Sequence, residues 1–282
     1  MASLLSGDIE LPGGNVLACE TYSLNGLFSS GQMTLEKFPE LMKELGIKGI
    51  SLNDIYFKSW EPEYLQKVKD AIERNGRVAV AFIIDQDGDF ALEDEAKRRE
   101  NVEAVKKRLE TAKFFGIPVV RINVGGTGKG DEADRTVGVE RVADAFRQLL
   151  PKAKELGLKL SIENHWGAST HAESVRRIIQ ATDPAWVGSC LDFKNWAKGD
   201  DLYESVKLLA PHTFHVHAKS HAFDEKGEET GIDYARVLGI LQVSGYRAAI
   251  SIEWEGVGDP IEGVKKTRDL IARKAALGRG KL

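Results

Sequence analysis

Four apolar runs of this chain end on side chains that can bind a divalent cation, and this recurrence constrains the fold more than any other feature. The runs read K-L-S-I-E, V-G-S-C-L-D, T-F-H-V-H and A-I-S-I-E, and they end at Glu163, Asp192, His217 and Glu253. Each has the length and composition of a buried strand. Four strands that each deliver one hard or borderline ligand at the same end can surround a single cation. The sequence therefore predicts a sheet in which these four strands are parallel.

The rest of the chain repeats the same alternation of strand and helix. Apolar runs at 16–20, 49–52, 78–84 and 119–123 predict four earlier strands. Helical periodicity, capping residues and glycine stops predict helices at 34–45, 64–75, 94–115, 138–156, 172–180, 202–209, 234–243 and 260–276. Eight such units predict an α/β fold of the closed (β/α)8 TIM barrel type, with an active site at the strand carboxyl ends. We expect one domain over 1–282, with 1–15 as a lead-in and 278–282 as a frayed tail.

Bulk properties limit the partners and the compartment. The 282 residues carry a net charge of −4, which argues against a broad nucleic-acid surface. Two cysteines in so long a chain favour a reducing compartment. No apolar window is long enough to span a membrane, and the amino terminus lacks the basic and apolar regions of a secretory signal. We therefore expect a cytoplasmic protein that acts on a small molecule, without nucleic acid or membrane as a partner; a homo-oligomer stays open.

The motifs I-E-N-H at 162–165, L-D-F at 191–193, H-V-H at 215–217 and I-E-W at 252–254 resemble the xylose isomerase-like barrel superfamily. That group includes sugar isomerases, ketose 3-epimerases, inosose dehydratase-like lyases and endonuclease four. The resemblance implies one divalent metal ion, Mn, Mg or Co with Zn as an alternative, held by Glu163, Asp192, His217 and Glu253. In the similar epimerases the second histidine of the H-x-H pair is the ligand.

The chain differs from the sequence patterns of the superfamily at two places, and these differences reduce the number of activities to be expected. Ketose 3-epimerases carry a histidine three residues after the aspartate, where this chain has Asn195. All six histidines lie between 165 and 221, so the early histidines of xylose isomerase and of endonuclease four are missing. The second absence counts heavily against a DNA-repair nuclease.

The ligand set also suggests a chemistry. A cation that bridges two oxygens of a hydroxy-ketone polarises the carbonyl and stabilises an enediolate. Glu163 and Glu253 would approach the substrate from different sides and serve as catalytic acid and base. We therefore expect a metal-dependent sugar isomerase or epimerase that acts through a metal-bound enediolate. The alternatives are a lyase or dehydratase of a keto-sugar or keto-polyol on the same scaffold, a nuclease, and a non-catalytic sugar-binding barrel.

Further polar and aromatic side chains surround the expected site. Lys219 shares a strand face with His217 and is either a third catalytic group or half of a structural salt bridge. The glycine-rich run at 125–130 lacks the spacing of a nucleotide-binding loop, but it could hold a phosphate or cover the site. The candidate substrate-binding residues are His165, Arg121, Asn123, Trp166 and Trp254. The alternatives are a hydrogen bond to a metal ligand for His165, pairing within the barrel for Arg121, and packing or shielding of the metal for the two tryptophans.

Overall fold

The sheet is a closed parallel barrel whose eight strands follow one another in chain order. The computed structural model describes residues 7–126 and 131–277. The strands are β1 (Val16–Glu20), β2 (Gly49–Asn53), β3 (Val78–Ile84), β4 (Val119–Ile122), β5 (Lys159–Glu163), β6 (Val187–Asp192), β7 (Thr213–Ser220) and β8 (Ala249–Trp254). Parallel ladders join β1 to β2 and to β8, and run from β3 through β4 and β5 to β6. The predicted (β/α)8 TIM barrel is confirmed.

Helices separate the strands as predicted. In the described residues they are α1 (Asn25–Ser29), α2 (Phe38–Glu44), α3 (Pro62–Arg74), α4 (Glu95–Phe114), α5 (Val139–Leu156), α6 (Ala172–Gln180), α7 (Leu202–Leu209), α8 (Tyr234–Val243) and α9 (Pro260–Leu277). The main difference lies early in the chain. Helix α1 lies between β1 and the first predicted helix, where the sequence predicted no helix or strand. Helix α2 begins later than predicted, because Lys37 and Phe38 donate to the Thr34 carbonyl in a turn before it.

Helix α5 shows how local sequence sets an element's ends. Pro151 lies inside this helix without ending it. The helix stops at Gly157, whose φ of 72° is left-handed, a conformation that glycine adopts without steric cost. A π-helical turn, Asp134–Gly138, precedes α5 and lies in the connection that follows β4.

One compact unit of the chain comprises the described residues in 7–80, 217–242 and 247–277. Its buried apolar side chains include Leu17, Ile50 and Ile252. On the opposite face of the same strands, the hydroxyls of Ser51 and Ser251 form a buried hydrogen bond of 2.7 Å. This unit therefore buries polar as well as apolar strand residues.

The other compact unit comprises the described residues in 81–126, 131–216 and 243–246. Phe90 and Phe146 pack edge to face in its core, with ring centroids 5.9 Å apart. Alternation places Ile162 and Leu191 on one face of β5 and β6, and Glu163 and Asp192 on the other. The strand pattern thus separates a helix-covered apolar face from a face that carries the candidate ligands.

Parts of three predictions lie outside the described residues. These are the start of the lead-in at 1–6, the last four positions of the glycine-rich run at 127–130, and the tail at 278–282. The extent of the domain, 1–282, stays a prediction. Among the helices that the structure describes, none combines the length and the hydropathy needed to cross a membrane.

Candidate metal centre

Glu163 ends β5 and is paired with a buried arginine. Its carboxylate forms an ion pair with Arg121 on β4, and the same guanidinium also pairs with Asp85 just past β3. Burial lowers the pKa of Arg121, but the charges of Asp85 and Glu163 outweigh that effect and raise this pKa well above its ordinary value. Arg121 therefore stays charged and gives the buried Glu163 carboxylate a fixed positive neighbour.

Asp192 is held at the end of β6 by the side-chain amide of Asn164. The Asn164 amide nitrogen donates to the carbonyls of Asp192 and Lys194 at 3.0 and 3.1 Å. Its oxygen accepts the Asp192 backbone N–H at 2.9 Å. The Asp192 carboxylate in turn accepts the Lys194 N–H at 2.6 Å. These bonds fix the ends of two neighbouring strands and the orientation of the Asp192 side chain.

Glu253 contacts both His217 and Lys219 in a second group of polar side chains. Glu253 at the end of β8 has one oxygen 3.2 Å from Nδ1 of His217 and the other 2.9 Å from Nζ of Lys219. Lys219 is fully buried and also donates to Glu255 at 2.7 Å. Buried charges are tolerated when they are paired in this way. The Lys219 ammonium thus gives the Glu253 carboxylate a positive neighbour that favours its ionised form.

The four predicted ligands meet. Glu163, Asp192, His217 and Glu253 are all buried, and one ligand atom from each lies within 4.8 Å of the other three. Three carboxylates and one imidazole suit a hard or borderline divalent cation. The chemistry of the donor set therefore fits the metal ion that the sequence motifs imply.

A sulfur lies within reach of the same centre. The Sγ of Cys190, on β6 two residues before Asp192, forms a second group of candidate ligand atoms with Glu163 and His217, again within 4.8 Å of one another. Cys190 is fully buried and is in no disulfide. From the sequence, this cysteine indicated only a reducing compartment. Its spacing from Asp192 was the available signal, since residues two apart share a strand face.

The five predicted substrate-binding residues differ in their surroundings. Arg121 is engaged by Asp85 and Glu163 as described, so the pairing alternative is realised in the structure. Trp254 is buried and stacks on Phe223, with ring centroids 5.8 Å apart.

The other three candidates are less buried. Trp166 is 37% exposed, and the neighbouring His165 is half-buried. The half-buried Asn123 follows β4, where its side-chain oxygen accepts the Gly125 N–H at 3.4 Å. Contact of any of them with a substrate stays a prediction.

Three polar residues of these groups were missed by sequence reasoning. Asn164, Asp85 and Glu255 each contact a candidate ligand or its charged partner. Asn164 was visible in the I-E-N-H motif, and Glu255 has the same two-residue spacing from Glu253 that Lys219 has from His217. For Asp85 we find no sequence signal beyond its place after a strand.

Asn195 has an unusual backbone for a non-glycine residue. Its φ of 44° lies in the left-handed region, where asparagine is among the more tolerated side chains. This is the position at which ketose 3-epimerases are expected to have histidine. The local turn thus gives a backbone reason for asparagine here, independent of any role in the reaction.

Comparison with known proteins identifies the family. Residues 39–274 match the family model described as Xylose isomerase-like TIM barrel. This match covers most of the chain, so the protein belongs to that family, as the four motifs predicted. Among solved structures, L-ribulose 3-epimerase aligns with a TM-score of 0.78 at 18% identity, over 95% of this chain and 96% of that one. At this identity the likeness shows the fold.

Two curated relatives are named as enzyme subunits. The C-glycoside deglycosidase alpha subunit of Arthrobacter globiformis is 40% identical over an alignment of 72 residues, and the match covers 23% of this chain and 20% of that protein. The chain thus matches only a fifth of that relative's length. The 3'-dehydrocarminate deglycosidase alpha subunit of a Microbacterium species is 25% identical over 240 residues, covering 62% of this chain and 69% of that protein.

Proposed function

We propose that this protein is a divalent-metal-dependent enzyme that removes a proton next to the carbonyl of a keto-sugar or related keto-polyol. The observation that carries the proposal is the convergence of Glu163, Asp192, His217 and Glu253. When bound, a divalent cation there would polarise the substrate carbonyl and make the neighbouring C–H more acidic. The membership of the chain in a family of sugar-related barrels supports the substrate class.

The two glutamates are the proton carriers of this proposal. Glu163 lies beside Arg121, and Glu253 lies between His217 and Lys219. Each is thereby kept as a carboxylate, the form that can accept a proton. Removal of a proton by one glutamate and return of a proton by the other would invert a carbon or move the carbonyl. Isomerase or epimerase is therefore our first assignment.

A lyase is the second assignment, and two observations favour it. Both curated relatives are named as alpha subunits of deglycosidases, and one name specifies a 3'-dehydro compound. This chain also has Asn195 in place of the expected epimerase histidine. In this alternative the same proton abstraction is followed by loss of a group from the next carbon. The leaving group takes the electron pair of the broken bond and then accepts a proton.

The first step is common to both assignments and can be tested without knowledge of the product. The purified protein would be loaded with Mn²⁺ and incubated in D2O with a panel of ketoses, keto-inositols and 3-keto-glycosides. We expect deuterium to appear next to the carbonyl of at least one substrate, or a double bond to form there. A metal-loaded protein that catalyses neither on any member of the panel would contradict the proposal.

A further inference from the structure

Two sets of candidate ligands overlap at the end of β5 to β8. The first set is Glu163, Asp192, His217 and Glu253, and the second is Glu163, Cys190 and His217. Glu163 and His217 belong to both. A cation can therefore bind these two residues together with the oxygens of the first set or together with the sulfur of the second, so cations at the two sets would share Glu163 and His217.

The two sets differ in chemical softness. Three carboxylates and an imidazole are suited to Mg²⁺ or Mn²⁺, whereas a thiolate with an imidazole and a carboxylate is suited to Zn²⁺ and to softer ions of the same charge. The thiol of Cys190 is fully buried on the strand face that carries Asp192. An ion bound there would lie one layer deeper in the strand pattern than one bound through Asp192.

We propose that Cys190, Glu163 and His217 form a second, thiophilic cation site that competes with the hard-ligand site for the same two residues. Binding breaks the S–H bond of Cys190 and forms a metal–sulfur bond, and the proton is released to the solvent. Zn²⁺ or Cd²⁺ held in this way withdraws Glu163 and His217 from the hard-ligand set and so excludes Mn²⁺. The competition rests on the proposed function, whereas the metal–sulfur bond does not.

The chain contains a matched control in its other cysteine. Cys19 on β1 is also fully buried and in no disulfide, and its Sγ lies 3.5 Å from the Glu20 carbonyl. Burial raises the pKa of this thiol strongly, as expected for an inert core cysteine. Within the described residues it belongs to neither group of candidate metal ligands.

The test is a titration of the metal-free protein with Cd²⁺. Binding is monitored through the ultraviolet charge-transfer absorption of the cadmium–thiolate bond. Wild type and Cys19→Ser should develop this absorption, and Cys190→Ser should not. Calorimetry should show that Cys190→Ser weakens Cd²⁺ binding by more than about 10-fold. Even the loss of a residue that only contacts a metal ligand typically costs that much, so the loss of a ligand should cost more. Mn²⁺ binding, followed by its electron paramagnetic resonance signal, should remain in Cys190→Ser and thereby also report a folded barrel.

The outcomes separate this proposal from the proposed function. Absence of the charge-transfer band in wild type, or its persistence in Cys190→Ser, would overturn the thiophilic site. A band in wild type together with no Mn²⁺ binding would support the thiophilic site and contradict the proposed function. If Cd²⁺ and Mn²⁺ bound to wild type at the same time without displacement, the overlap of the two sites would be wrong.

Discussion

At the scale of single residues, each candidate proton carrier has its own buried cation. Arg121 is paired with Glu163, and Lys219 is paired with Glu253. A buried carboxylate that lost such a partner would tend to take up a proton, since burial disfavours its charge. The positive side chains of Arg121 and Lys219 therefore influence the protonation state of the two glutamates as well as their position.

Amide replacement of the ligands should separate proton transfer from metal binding. We expect Glu163→Gln and Glu253→Gln each to lose about 10²–10⁴-fold in turnover even when saturated with Mn²⁺, because a glutamine amide can coordinate through oxygen but is a poor base. Asp192→Asn, the matched amide variant of a ligand without a proposed proton-transfer role, should regain measurable turnover in excess Mn²⁺. Deuterium exchange at the carbon next to the carbonyl is the measurement. Near wild-type exchange in both glutamine variants would contradict the two-carboxylate mechanism and leave Lys219 or His165 as the candidate base.

Lys219 provides a second test at this scale. Lys219→Met removes the ammonium that bonds Glu253 and Glu255 but keeps most of the side-chain volume. We expect turnover to fall by on the order of 10²-fold and Mn²⁺ affinity to fall much less, because Lys219 is not in the ligand set. Lys207→Met is the control, since Lys207 pairs with Glu204 on an exposed helix surface. Equal turnover in wild type and Lys219→Met would place Lys219 in a structural salt bridge.

At the level of helices and strands, the end of β8 packs closely against helix α9 through the side chain of Trp254. The Trp254 indole at the end of β8 lies against Gly263, where an added Cβ would overlap the ring. Trp254 also stacks on Phe223, with ring centroids 5.8 Å apart. The apolar pattern of the sequence predicted the strand and the helix, but it could not predict that a helical glycine makes room for this ring.

A pair of glycine substitutions tests that packing. Gly263→Ala in α9 should destabilise the protein by about 1–3 kcal/mol, since the new methyl group overpacks the Trp254 contact. Gly239→Ala in α8 is the matched control, because no atom lies within 4 Å of its added Cβ. That change should instead stabilise by about 0.5–1 kcal/mol through higher helix propensity. Urea unfolding measures both, and equal effects of the two substitutions would contradict the packing argument.

At the scale of the whole molecule, the sequence predicted the barrel well because its signals are local. Strand β3 and helices α6, α7 and α8 have the bounds that their apolar patterns and capping residues predicted. Helix α2 is shorter than predicted. The apolar spacing of a helix already begins at 34–37, but the backbone there forms a separate turn closed by the Thr34 carbonyl. Local patterns therefore fixed the order and type of the main elements better than their ends.

The candidate site could be predicted only in part. The convergence of the four ligands followed from the shared end of parallel strands. The Arg121–Asp85 ion pair and the hydrogen bonds of the Asn164 amide to Asp192 each join residues from the ends of neighbouring strands. The distance between two such strand ends cannot be derived from the sequence of either strand alone. The proximity of Cys190 to Glu163 likewise depends on the register of β5 and β6, which places these two residues opposite each other.

One divalent cation should bind at this centre, and a crystal structure of the protein soaked in Mn²⁺, with anomalous diffraction data, would show it directly. We predict a single strong anomalous peak whose protein ligands are Glu163, Asp192, His217 and Glu253, with at least one position open to water or substrate. A peak elsewhere, or one bound by His215 in place of His217, would contradict the account.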